Sequence, residues 1–151
     1  MEQSILNFIA NKLLEREFVI TNLAELLKKR AKAFLETARV NFSHGHYDLV
    51  LFHVEQFLQL YFKYLLCRKM GDFPKSHSLI RLLRDVMRVY GDGILRKFYE
   101  ENLETIYLLE EAYITSRYLP REYGKDIAER ILNFADEALK VLKCLEKESH
   151  Q

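Results

Sequence analysis

Proline and glycine are scarce in this chain, two and five among 151 residues. Such a shortage of turn formers excludes the turn-rich pattern of an all-β protein and favours long helices. Cysteine is scarce too: Cys67 and Cys144 stand far apart and neither belongs to a C-x-x-C pair. They imply no zinc site and no disulfide framework, and they suit a reducing compartment. No apolar run approaches the roughly 18 residues of a membrane span. The N-terminus lacks the basic segment and small-residue cleavage site of a signal peptide. The expectation is a cytoplasmic protein that makes no membrane contact. Neither sign of charge dominates, with 23 Lys plus Arg against 22 Asp plus Glu. That balance demands no nucleic-acid or anionic-membrane partner, although a local patch could still bind one. The longest basic cluster, Lys28-Lys29-Arg30 with Lys32, falls within helical periodicity and reads as a solvated face.

What the chain has in quantity is apolar side chains, 49% of residues, with 10 Phe and 9 Tyr. One domain of this length can bury roughly 68–70% of the surface its unfolded form exposes. Ile5, Ile9 and Leu13 repeat at spacing four and predict a short helix over residues 4–15. Phe18-Val19-Ile20 then reads as an extended connector. Asn22 with Glu25 looks like a capping box opening a helix that carries Leu23, Leu27, Ala31, Phe34, Ala38 and Phe42. Gly45 can close that helix in the left-handed conformation.

The next helix, from about Tyr47 to Lys69, is apolar nearly all round, as expected of the centre of a bundle. Val54, Leu58, Tyr61 and Leu65 fall on the side predicted to be buried. His53, Gln56, Gln59 and Lys63 form a stripe on the other side, short of charge and rich in hydrogen-bonding groups. Met70-Gly71-Asp72-Phe73-Pro74 breaks the helix. Ser76 or Ser78 caps a third, and Gly91-Asp92-Gly93 makes a turn. A fourth helix runs from Leu95 through Tyr113 and stops before Pro120, and a fifth carries Ile127 to Leu145. Short connections place successive helices antiparallel. The predicted fold is all-α: an up-and-down bundle of four to five long helices over residues 22–148, with a short extra N-terminal helix in residues 1–21.

With the helices placed, motifs line up at their junctions. Gly45-His46-Tyr47-Asp48-Leu49-Val50 leads into Phe52-His53-Val54-Glu55-Gln56 and on to Leu60, Lys63 and Leu66. Gly71, Pro74 and Ser76-His77-Ser78-Leu79 follow, then Ala112-Tyr113-Ile114-Thr115-Ser116-Arg117-Tyr118 with Pro120. From about residue 22 to 145 this pattern resembles the HEPN domain family, named for nucleotide binding in higher eukaryotes and prokaryotes. The resemblance implies a helical bundle that is often a homodimer, works beside a small nucleotidyltransferase, and in some members is the toxin of a toxin–antitoxin pair. Catalytic members are metal-independent ribonucleases with an Arg and a following His separated by four to six residues. The equivalent Arg here is Arg117, but Glu122, Tyr123 and Gly124 stand where the His belongs. Without imidazole the proton-transfer half of that chemistry is missing. The family also commonly has Glu where this chain has Gln59.

The resemblance therefore points to a non-catalytic binding or interaction module, with no catalytic residue, no metal ligand and no resident cofactor. A nucleotide such as ATP or GTP is the ligand it suggests. Arg117 and Tyr118 are the leading site candidates, since Arg grips phosphate in a bidentate fork and a Tyr ring stacks on a base. The plain alternative is a structural Arg paired with an acid near a helix end. His53, Gln56, Gln59 and Lys63 could line a nucleotide pocket, a subunit interface or a satisfied interior network. His77 follows the Pro74 turn, either as a loop tether or as a ligand-binding group. The rival reading is a ribonuclease using Arg39 with His44 or His46, or Arg117 with a substitute group. A third is a purely structural interaction bundle. No G-x-G-x-x-G, P-loop or H-E-x-x-H motif occurs.

Overall fold

Residues 1–44 contain neither proline nor glycine, and they form one helix, α1 (Glu2–Ser43). The extended connector at Phe18-Val19-Ile20 and a helix start at Asn22 are both overturned. Three bulky residues in a row cost a helix only a few tenths of a kcal/mol each, and nothing in the segment breaks the backbone ladder. α1 is therefore about 63 Å long. It ends at His44, whose N–H bonds the Val40 carbonyl at 3.1 Å, and Gly45 follows at φ +77°.

This computed structural model describes all residues except 92, 119–120 and 149–151, and the side chains of Ser116 and Arg117. Five further helices follow: α2 (Tyr47–Met70), α3 (Leu79–Tyr90), α4 (Gly93–Glu101), α5 (Leu103–Tyr118) and α6 (Lys125–Glu148). No strand occurs among the described residues, and the fold is an all-α bundle. Gly71 closes α2 at φ +78°, with its N–H on the Cys67 carbonyl at 2.8 Å. Of the two candidate caps for α3, Ser78 takes the role, accepting from the Arg81 N–H at 3.3 Å.

The predicted fourth helix is two. At Asn102 the side-chain Nδ2 donates to the Phe98 carbonyl at 2.9 Å, alongside the backbone N–H at 3.1 Å. A side chain that competes for backbone partners favours a break between helices, and α4 gives way to α5 there. The turn at Asp92 and the stop at Pro120 lie outside the described residues.

α2 sits at the centre and packs against α1, α3, α5 and α6. Val54, Leu58, Tyr61 and Leu65 are all buried, as their side of the helix predicts. Ala31 and Ala38 are fully buried as well; their small side chains let α1 lie close against α2. Among the described residues, no helix is long and apolar enough to cross a membrane.

Candidate functional site

The stripe of α2 does not face outward as a unit. His53 turns toward α1, its Nδ1 2.7 Å from Asn41 Oδ1 and its ring stacked on Phe34 at 5.7 Å. Gln59 and Lys63 are buried within the chain, while His53 and Gln56 are half-buried. Of the three readings of the stripe, the burial of Gln59 and Lys63 agrees with the interior network, and the Gln59 amide is hydrogen-bonded inside the chain, where an unpaired polar group would be costly.

The residue that organises them was not among the predicted site residues. Glu55 is fully buried. Its carboxylate accepts from Gln56 Nε2 at 2.8 Å and from Gln59 Nε2 in a short contact. Gln59 Nε2 also donates to the His77 carbonyl at 3.0 Å, which ties α2 to the segment before α3. Burial pushes the Lys63 ammonium below its ordinary range, while the charge of Glu55 opposes that fall. Lys63 Nζ lies 5.8 Å from the Phe73 ring. The signal for this network was a carboxylate within an otherwise apolar helix, one residue before Gln56 and four before Gln59.

Above the network sits a stack of rings. Tyr113 of α5 lies parallel to Phe52 at 6.2 Å and beside His77 at 5.9 Å. His77 is an exposed residue whose carbonyl accepts from Gln59 Nε2 while its ring stacks on Tyr113. Arg117 is one turn beyond Tyr113, but its side chain lies outside the described residues. Tyr118 is 75% exposed at the end of α5.

On the far side of the 71–78 segment is a groove of about 380 Å³ between the last turn of α2 and α3. Leu66, Met70, Phe73, Pro74 and Val89 supply its apolar wall. Arg81 and Arg88 stand at its rim with Asp72 and Asp85, and Arg88 pairs with Asp85 at 3.5 Å. The volume lies within the usual range for small-ligand sites, about 300–1,000 Å³. Sequence pattern could not find this groove, because two segments that are separate in the chain must meet to form it.

Among the described residues, those of the ribonuclease reading make other contacts. Arg39 is committed to Asp136 of α6 at 2.6 Å. His44 and His46 stack on one another at 6.1 Å in the exposed turn after α1. Tyr123, six residues after Arg117, is buried in the core. Among the described residues no group of three His, Cys, Asp or Glu is placed to hold a metal.

A second polar cluster ties the end of α6 to the bundle. Glu146 accepts from the Tyr61 hydroxyl in a short contact and from Lys28 Nζ at 2.9 Å, and Arg68 Nη2 reaches its carbonyl at 3.4 Å. Burial and the neighbouring carboxylate raise the Tyr61 hydroxyl well above its ordinary range. Burial also pushes Tyr90, which donates to the Leu65 carbonyl at 2.7 Å, up to about 12.

His53 makes one pH prediction. Burial holds its folded pKa below the ordinary 6.5, so the unfolded chain takes up this proton first as pH falls. Its neutral form stabilises the fold above about pH 6.5, and that contribution is lost progressively below it. Melting temperatures measured from pH 8 to 5 should fall more steeply for the native chain than for His53→Gln. Parallel profiles would contradict the assignment.

The HEPN domain model matches residues 24–145. A crystal structure of the protein TT1696 from Thermus thermophilus superposes with a TM-score of 0.64 at 24% identity, covering 83% of this chain and 98% of that one. At that identity the likeness speaks for the fold. No curated protein matches the sequence.

Proposed function

Because the chain belongs to the HEPN domain family, we propose that it is a non-catalytic member: a homodimeric binding module that acts beside a small nucleotidyltransferase and takes a nucleotide such as ATP or GTP. The observation that carries the nucleotide reading is the groove between α2 and α3. Phe73, Pro74 and Met70 offer an apolar surface to a base, and Arg81 and Arg88 line the same groove as candidate phosphate partners, alongside Asp72 and Asp85. Arginine suits that task through its rigid fork of donors. The dimer, the nucleotidyltransferase partner and a toxin–antitoxin setting are what the family suggests.

Against catalysis stand the engagement of Arg39 by Asp136 and the buried Tyr123 in the stretch where catalytic relatives place imidazole. A buried phenol cannot shuttle protons to a substrate in solution.

Thermal melting with and without millimolar ATP or GTP tests the nucleotide reading. A ligand present at ten times its Kd stabilises the native state by about 1.4 kcal/mol, or roughly 3–6 °C for a chain of this size. The Arg81→Ala/Arg88→Ala double variant should lose that shift and keep its own melting temperature, since both side chains are exposed. A native chain unmoved by either nucleotide sinks the nucleotide reading. Copurification with a nucleotidyltransferase addresses the partner.

A further inference from the structure

α5 carries apolar side chains on two faces. Ile106, Leu109, Ala112 and Tyr113 are buried against the bundle. Leu103, Tyr107, Ile114 and Tyr118 are instead between 37% and 75% exposed. At roughly 100° per residue, these four fall within about 60° of one another, turned by about 140° from the buried set. They form one line over about 22 Å of helix. Single apolar residues on a surface are ordinary, and a surface helix turns polar residues to its outer side. A line of four, two of them tyrosines, is the pattern of a docking surface.

Carboxylates border the line. Glu110 lies on one side of it, and Glu104 and Glu111 lie on the other. Glu111 is held by Arg121 at 2.7 Å, whereas Glu104 and Glu110 make no ion pair among the described residues. From Phe98 to Ser116 the sequence holds five Glu and neither Lys nor Arg. Of the 22 carboxylates, 17 are therefore left for the rest of the chain, against all 23 of its cations. α5 itself has one cation, Arg117, in its last turn.

We infer that this stripe docks a basic amphipathic helix of a partner protein, with apolar residues along one side and lysine or arginine on both flanks. Charge selects this occupant. A second copy laying its own α5 on the stripe would set Glu104, Glu110 and Glu111 against the same carboxylates, and like charges brought together across an interface are costly. Anionic lipid and the phosphates of nucleic acid are repelled in the same way.

Size selects a single helix. The four side chains leave on the order of 400 Å² uncovered on this one face, about half of what one partner contributes to a standard interface. The stripe is as long as about 15 helical residues. Partner anchors at i, i+4, i+7 and i+11 lie along such a line, and cations beside them reach Glu104 and Glu110. The stripe shares no residue with the groove between α2 and α3, so the inference is independent of nucleotide binding.

Fluorescence anisotropy on the full chain tests it with a labelled helical peptide of about 18 residues. One version carries leucine at the four anchor positions and lysine on both flanks; the control has glutamate in place of lysine. The lysine peptide should bind saturably below roughly 100 μM and more weakly as salt is raised, and the glutamate peptide should not bind. Tyr107→Ser/Ile114→Ser should raise the Kd of the lysine peptide about 10-fold or more. Glu104→Lys/Glu110→Lys should exchange the preference, so that the glutamate peptide binds and the lysine peptide does not. Neither pair is buried, so both double variants should keep the native melting temperature, which separates lost docking from lost folding. No saturable binding of the lysine peptide, or binding that both double variants leave intact, would overturn the inference. Equal binding of the two peptides would do the same, since charge would not then select the occupant. A native chain that self-associates in light scattering only while Tyr107 and Ile114 are present would also overturn it, giving the stripe to a second copy.

Discussion

Replacing Glu55 by alanine is expected to cost about 3–4 kcal/mol of stability, because a buried charged network loses the acceptor at its centre. Glu55 is wholly enclosed and receives the amides of Gln56 and Gln59. It is also the carboxylate that offsets the burial of the Lys63 ammonium. With the carboxylate gone, the Gln59 amide keeps the His77 carbonyl, but Lys63 is left as a cation in an apolar setting. The effect follows from the asymmetry of hydrogen bonding: a satisfied pair contributes little net, and an abandoned partner costs its full desolvation. The double variant Glu55→Leu/Lys63→Met should recover much of the loss, since it removes both charges together. Urea unfolding of the two variants measures this, and a cost below about 1 kcal/mol for Glu55→Ala would mean the network is not coupled as described.

The second large effect is expected at the other end of α2. Glu146→Ala should destabilise the chain by about 2–3 kcal/mol, as a charged acceptor is withdrawn from two donors, one of them the hydroxyl of the fully buried Tyr61. That corresponds to a melting temperature lowered by roughly 4–12 °C. Burial by itself would raise the Glu146 carboxyl, but the bonds from Tyr61 and Lys28 outweigh it and hold it below its ordinary 4.5. The folded pKa is depressed, so its contribution is present above about pH 4.5 and is lost as pH falls through the folded value. The gap between native and Glu146→Ala melting temperatures should therefore narrow in acid. A gap that stays constant from pH 7 to 3 would show that the loss is one of packing and not of charge.

Helix ends were legible in the sequence wherever a single residue's chemistry decides them. Gly45 and Gly71 take the positive φ that other residues avoid, and Ser78 places an oxygen on the N–H three residues ahead. The order and centrality of α2 followed from its apolar composition. The long reach of α1 was not legible through propensity, because Phe18-Val19-Ile20 favours extended backbone only weakly and nothing downstream enforces a break. Asn102 escaped notice because its effect depends on a rotamer, not on a residue type that always stops a helix.

The candidate site was legible only in part, for a related reason. Periodicity finds the angle of a residue around its helix and not what stands opposite. Gln59 and Lys63 looked like a polar face; with α5 and the 71–78 segment in place, the same angle points inward to Glu55. His53 was directed to α1 by a partner, Asn41, twelve residues away. The groove of Phe73, Arg81 and Arg88 exists only once the end of α2 and the flank of α3 are side by side. Tyr113 entered as one letter of a family motif, and its stacking on Phe52 and His77 required three separate elements to meet.

The central claim is that this HEPN domain binds and does not cut. Purified chain incubated in EDTA with single-stranded and structured RNA tests it most directly, since the family's nucleases need no metal. The RNA is expected to remain intact with native protein, Arg117→Ala and Arg39→Ala alike. Cleavage by the native chain that either variant abolishes would contradict the claim and make that arginine part of an active site.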